Sequence, residues 1–271
     1  MSYNRKAVIK KLVSENNIFE VAKFYDEINY IAQYACLYQS LILFDFALKN
    51  GANNYTTMIL NAAKTGFVYI LDYFSDKIKF EKLYEKIAFF GAYKNKPEVI
   101  KWVLDRCKTV SVYNYIACGA AKAGNEQLVN KMLNLGANDI NSICRYSIYS
   151  RNDQLFNKLK EKCINFYYPS LIYTAAYANR LDLIVDNQSD DVDYEVVAIN
   201  AAWKGNLDIV KYCIQNFHVD LLKIAIYAAI KFRENVVKYL LENKYVLVDD
   251  LIKELEHEND DCVLNMIASL C

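Results

Sequence analysis

The segment from 200 to 216, NAAWKGNLDIVKYCIQN, reads as the end of one helix, a tight turn at Lys204–Gly205–Asn206, and a second helix with Leu207, Ile209, Val210, Cys213 and Ile214 on one side. Weaker copies run along nearly the whole chain. With Gly205 as the phase marker, the equivalent positions are Gln39, Gly66, Asn95, Gly124, Arg151, Asn179, Phe232 and Asn259. Their spacing is about 26 to 29 residues. A fixed period in that range marks a stacked repeat, in which each small unit hides its apolar side against the next.

The register is supported by chemistry that did not define it. Four residues after the marker stand Leu43, Ile70, Val99, Leu128, Leu155, Leu183, Ile209, Val236 and Val263, and the next residue is apolar each time, from Phe44 and Ile100 to Leu264. That pair is the buried stripe of a helix. Three and four residues before the marker come Ala62–Ala63, Gly91–Ala92, Ala120–Ala121, Ala175–Ala176, Ala201–Ala202 and Ala228–Ala229. Small residues recurring at one place predict close backbone approach between neighbouring helices. Gly or Asn at the marker suits a left-handed residue that ends the first helix. Pro97 and Pro169 fall where helices begin. With only two Pro and seven Gly there is little turn material for a many-stranded sheet, so the expected fold is all-α.

These residues resemble the ankyrin repeat, whose second half looks like Ala-Ala-x-x-Gly-x-Leu-x-Ile-Val-x-x-Leu-Leu-x-x-Gly-Ala. The matches are AAKTGFVYILDYF from 62, AAKAGNEQLVNKMLNLGAN from 120, AAWKGNLDIVKYCI from 201 and AAIKFRENVVKYLL from 228. Asn50–Gly51–Ala52–Asn53 and Leu135–Gly136–Ala137–Asn138 match the repeat's end. The resemblance implies an ankyrin-like helical-hairpin solenoid of about ten short repeats. An ordinary ankyrin repeat has about 33 residues, and here the Thr-Pro-Leu-His start is missing. The deficit lies between a second helix and the next first helix, as at Phe217–Asp220, so the β-hairpin fingers are expected to be truncated or missing. Divergent, Asn-, Lys-, Ile- and Tyr-rich arrays of this kind look like those encoded by large AT-rich DNA viruses, where they are implicated in manipulating the host.

The array is expected to fill residues 1–271 as one repeat domain, with an N-terminal cap at 1–27, repeats at 28–246 and a C-terminal cap at 247–271. Arg5–Val13 with Asn17–Asp26, and Leu251–Glu258 with Asp261–Leu270, read as the capping helix pairs. The poorest copies lie between 145 and 195. There Ser147–Ile148 replaces Ala-Ala, Arg151 replaces Gly, and the helix from Leu181 runs into the acidic stretch 186–193. The lowest local stability is expected in that region, because each repeat depends on its neighbours.

Chemistry is sparse. The two histidines, His218 and His257, are far apart and read as ordinary surface residues. GAAKAG at 119–124 is the repeat's own turn and lacks the Lys-Ser or Lys-Thr of a phosphate loop. The eight cysteines form no Cys-x-x-Cys pair and read as small buried hydrophobes in a reducing compartment. No catalytic, cofactor or metal site is expected. The start of the chain has no apolar signal core. The most apolar run, Ile31–Leu48, carries Gln33, Gln39, Ser40 and Asp45, so two packed helices explain it better than a membrane span. A soluble, cytoplasmic protein is expected. The zero net charge argues against general nucleic-acid binding.

In an ankyrin-like stack the residues after Ala-Ala face the concave side. Two before each marker this gives Lys64, Tyr93, Lys122, Tyr149, Tyr177, Trp203 and Ile230, with Lys94, Lys204 and Lys231 beside them. Tyr and Trp on such a ribbon suit a protein interface, although Tyr is abundant in this chain and some would pack between repeats. The expected function is a protein–protein interaction scaffold, and the resemblance implies a viral factor that binds a host protein; the candidate contact residues are Lys64, Tyr93, Lys122, Tyr149, Tyr177, Trp203 and Lys204. The alternative is a structural or assembly component that uses lateral contacts.

Overall fold

The computed structural model describes residues 2–75, 77, 83–163, 168–256 and 261–270, and every regular element among them is helical. The chain divides into two compact units, Met1–Cys163 and Ile164–Cys271. The division falls within the stretch whose repeats are poorest in sequence.

The first unit holds α1 (Ser2–Ser14), α2 (Ile18–Val21), α3 (Ile28–Tyr38), α4 (Leu41–Lys49), α5 (Tyr55–Thr65), α6 (Val68–Ser75), α7 (Tyr84–Tyr93), α8 (Pro97–Arg106), α9 (Val110–Ala123), α10 (Glu126–Asn134), α11 (Ile140–Ser147) and α12 (Asp153–Lys160). The second holds α13 (Tyr168–Tyr177), α14 (Leu181–Asp186), α15 (Tyr194–Lys204), α16 (Leu207–Asn216), α17 (Leu221–Ile230), α18 (Glu234–Glu242), α19 (Val248–Leu255) and α20 (Asp261–Leu270). Each odd-numbered helix packs against the even one that follows it. In the first unit α1, α3, α5, α7, α9 and α11 also pack one on the next; in the second α13, α15, α17 and α19 do so. Contacts are therefore local in sequence, as expected of hairpins too small to bury their own apolar faces.

The marker residues set the phase. Gln39, Gly66, Asn95, Gly124, Arg151, Asn179, Gly205 and Phe232 all adopt left-handed backbone, with φ between 51° and 86°. Asn259 lies outside the described residues. The N–H of the next residue then reaches back to the first small residue: Phe67 to Ala62, Lys96 to Gly91, Asn125 to Ala120, Arg180 to Ala175, Asn206 to Ala201 and Arg233 to Ala228, all at 2.8–2.9 Å. This is the six-to-one closure of a Schellman motif, and it satisfies a carbonyl the ending helix would leave open. An extra left-handed residue, Asn16 (φ 52°), closes α1 in the same way, with Asn17 donating to Leu12 at 3.0 Å.

The small pairs are buried, as predicted, and Gly119 shows how close the helices come. A Cβ built there would press into the Phe89 carbonyl and lie 3.0 Å from the Tyr93 nitrogen of α7. After the second helices, Gly51, Gly136 and Lys244 turn the chain in left-handed conformation, and Ala52, Ala137 and Val246 tuck in behind them. Asn29 and Asn114 latch two of these turns to the preceding first helix. The Asn29 carboxamide oxygen accepts from the Asn53 and Asn54 N–H groups, both at 2.9 Å, and that of Asn114 from Asn138 (2.7 Å) and Asp139 (3.0 Å). No strand occurs among the described residues.

Some expectations need correction. The second helix of the N-terminal cap does not run to Asp26. It is α-helical only over Ile18–Val21, continues as a 3-10 segment over Ala22–Glu27, and breaks at Phe24 (φ −109°, ψ 34°). The helix expected from Leu251 begins earlier, at Val248. Ile100, Leu128 and Leu264, read as part of the buried stripe, are half-buried, and the first two line a groove instead. Pro97 opens α8 and Pro169 is the second residue of α13, as predicted.

Candidate functional surface

The ribbon residues lie at the C-terminal ends of the first helices, where the Schellman turns hold them in step. Lys64, Tyr93, Lys122, Tyr149, Tyr177 and Trp203 are half-buried and Lys204 is exposed. In the first unit Lys64, Tyr93, Lys122 and Tyr149 are linked through aromatic rings. The Lys122 ammonium lies 4.9 Å from the Tyr93 ring centre, 4.5 Å from that of Tyr149, and about 6 Å from those of Phe89 and Tyr146. Lys64 sits 4.7 Å over Phe90, and Lys94 sits 4.5 Å over Tyr93. Phe89 packs on Phe90, Tyr93 and Tyr146 at centroid distances of 5.5, 6.2 and 5.1 Å, so the rings form a continuous cluster.

The second unit repeats the device. Lys204 lies 4.0 Å over Tyr177, and Lys231 lies 3.9 Å over Trp203, which also packs on Tyr227 at 6.0 Å. Ile230 is half-buried beside them. In each contact a lysine of one helix pair covers a ring of a neighbouring pair, apart from Lys94, which covers its own neighbour. Such a contact contributes roughly 0.5–1 kcal/mol at exposed sites. The ribbon is therefore part of the cement between repeats as well as a surface. Two further connectors run beside it. The Arg233 Nε donates to the Trp203 carbonyl at 2.9 Å, and the Asn206 carboxamide donates to the Ala176 carbonyl at 2.7 Å.

Phe89, Phe90 and Tyr146 were not among the expected ribbon residues. They stand five or six residues before a marker, one helical turn from Tyr93 or Tyr149. The i, i+3 and i, i+4 spacing of aromatics (Phe89–Tyr93, Tyr146–Tyr149) is the signal that could have found them.

Burial lowers the Lys64 pKa, and the nearby Lys94 ammonium lowers it further. The ion pairs of the first unit lie elsewhere, at Arg5–Asp26, Lys101–Asp105, Arg106–Asp72 and Lys158–Glu126 among others. Cys36, Cys118 and Cys213 are buried thiols whose pKa is pushed up to about 12 by burial, to which the Asp139 carboxylate adds at Cys118. They behave as small hydrophobes. Cys107 and Cys163 are half-buried and Cys262 is exposed. His218 is exposed, while His257 and Cys271 lie outside the described residues. Among the described residues no group of three or more His, Cys, Asp or Glu side chains could hold a metal ion. None of the described helices is long and apolar enough to cross a membrane.

The acidic stretch that follows α14 is tied down at several points. The Asn187 carboxamide donates to the Leu183 carbonyl at 2.8 Å, and three tyrosine hydroxyls pin the loop. Tyr194 accepts from the Ser189 N–H at 3.3 Å, Tyr173 from the Asp193 N–H at 3.2 Å, and Tyr212 bonds to Gln188. Away from the ribbon, Ile100, Leu104 and Leu128 floor an open groove of about 710 Å³ between α8 and α10, with the Lys101–Asp105 ion pair on its rim. Searches against protein-family models and against curated proteins find no match for this chain.

Proposed function

We propose that the chain is an ankyrin-like repeat module that docks a partner protein on the residues at the C-terminal ends of the first helices within each unit. The observation that carries this reading is the regular series of lysines and aromatic rings at one position of successive helix pairs. Large, partly exposed aromatic faces on a rigid frame give contact area at small entropic cost. The likeness to repeat arrays of large DNA viruses directs the search for the partner to proteins of a host cytoplasm. The test is affinity capture from such cells, comparing the wild type with Tyr177→Ala/Trp203→Ala. A specific partner lost in the double variant supports the reading, and retention of every captured protein counts against it.

A second reading, a component of a larger assembly, is favoured by a different observation. Phe19, Ile42 and Tyr69 each follow a left-handed residue by three positions, in three successive pairs, and are 89%, 64% and 52% exposed. Apolar residues repeating at an exposed position suit lateral contacts. Sedimentation of the wild type against Phe19→Ser/Ile42→Ser distinguishes the two. Concentration-dependent association that the double variant abolishes favours assembly, and a monomer in both disfavours it.

A further inference from the structure

We infer that the ribbon of the first unit selects an acidic, extended segment of its partner, one with a carboxylate about every third residue. The inference rests on the docking reading above and specifies its chemistry.

The net charge of the chain is zero, but charge is not evenly distributed. Helices α1, α3, α5, α9 and α11 contain no Asp or Glu at all, and α7 contains only Glu85. Glu85 stands in the first turn of α7, at the far end from Tyr93, and there accepts a hydrogen bond from Ser111. The carboxylates of the unit sit instead on the second helices and in the loops; those nearest the ribbon are Glu98, Glu126 and Asp153 in the first turns of α8, α10 and α12, with Glu98 packed against Gly66 and Glu126 paired with Lys158. At the other end of the first helices stand Lys64, Lys94 and Lys122. Burial, and after it the nearby Lys94 ammonium, disfavours the charged form of Lys64. An approaching anion relieves that repulsion, whereas a cation adds to it.

The spacing sets the form of the ligand. Packed helices lie about 8–10 Å apart, so successive repeats present their ammonium groups at about that interval. An extended chain advances about 3.3 Å per residue, which brings every third side chain to the next lysine. A single-stranded nucleic acid would also carry negative charge, but it binds such surfaces by stacking bases on open ring faces. Here ammonium groups already sit over these rings, Lys64 over Phe90, Lys94 and Lys122 over Tyr93, and Lys122 over Tyr149, so less of each face is open to a stacking base. A carboxylate reaches each ammonium from outside without displacing it from its ring.

The experiment is fluorescence anisotropy with the full chain and three labelled probes: a twelve-residue peptide with Glu at every third position, the same peptide with Lys, and oligo-dT. The acidic peptide should bind most tightly and weaken as salt rises. Lys64→Gln/Lys94→Gln should weaken it about tenfold, the loss expected from two exposed charge pairs, while Lys101→Gln/Lys158→Gln on the second helices leaves it within about twofold. Equal binding by the Lys64→Gln/Lys94→Gln variant, or tighter binding of the basic peptide or of oligo-dT, overturns the inference. A ring variant, Tyr93→Leu/Tyr149→Leu, separates the two readings. If it loses the acidic peptide while the lysine variant does not, the charge inference fails and ribbon docking stands; if neither variant changes binding, both fail. Circular dichroism confirms that each variant is folded.

Discussion

The ammonium of Lys231 lies 3.9 Å from the centre of the Trp203 ring, so a lysine after one first helix caps an aromatic residue at the end of the preceding one. The pair couples α15 to α17, and Trp203 is therefore both candidate contact residue and structural link. A double-mutant cycle with Trp203→Ala and Lys231→Ala, read by urea denaturation, should give a coupling of about 0.5–1 kcal/mol. A coupling indistinguishable from zero would mean that the ribbon lysines do not help to hold the repeats together.

Phe232 holds a left-handed backbone (φ 54°) with a side chain 46% exposed. A non-glycine residue there costs about 1–2 kcal/mol, and little burial is lost on removing the ring. Phe232→Gly should raise stability by up to about 1 kcal/mol, against the entropy that glycine adds to the unfolded chain. Gly205→Ala should do the opposite, because its φ is +81° and the added Cβ would meet Arg233 at 3.2 Å. Denaturation midpoints of both variants check the sign.

Gly119 lies where α9 presses on α7. Its φ is not positive, so the constraint is space alone. Gly119→Ala should destabilise the first unit by about 1–3 kcal/mol through overpacking against the Phe89 carbonyl. Ala at the exposed Gly136, where nothing lies within 4 Å of the added Cβ, isolates the backbone term because that glycine has φ +108°. Thermal unfolding of the two variants side by side separates crowding from conformational strain.

The buried thiols make stability fall in alkali. Cys36 and Cys213 have folded pKa values pushed up to about 12, above the ordinary value of 9.0, so the unfolded chain loses these protons first. Stability is fully present below the unfolded value and declines as pH rises from about 9 toward 12. Cys36→Ala/Cys213→Ala should show a shallower decline than the wild type in urea titrations between pH 8 and about 10.5. At neutral pH, iodoacetamide should label Cys262 before either buried thiol.

Much of this architecture was legible because a repeat makes the same statement many times. Arg151 and Phe232 are poor residues for a left-handed turn, yet their positions were identified by the apolar stripe after them and, at Phe232, by the small pair before it. The turn at Asn16 was missed because the pair it joins has no Ala-Ala and its second helix decays into a 3-10 segment. The rings inside the first unit, Phe89, Phe90 and Tyr146, are not readable from the period, since periodicity locates a helix face without showing which neighbour covers it. The tyrosine hydroxyls that pin 187–193 come from residues up to 24 positions away along the chain, and nothing local announces them.

Ile209 is fully buried in α16, and its replacement by Asp would place an unpaired charge among apolar side chains. Native-state hydrogen exchange on Ile209→Asp tests most directly whether helix pairs are stabilised by their neighbours. Protection should collapse across α15–α18 and persist in α5–α9 of the first unit. Loss of protection in α5–α9 to the same extent would show one indivisible core and contradict the account.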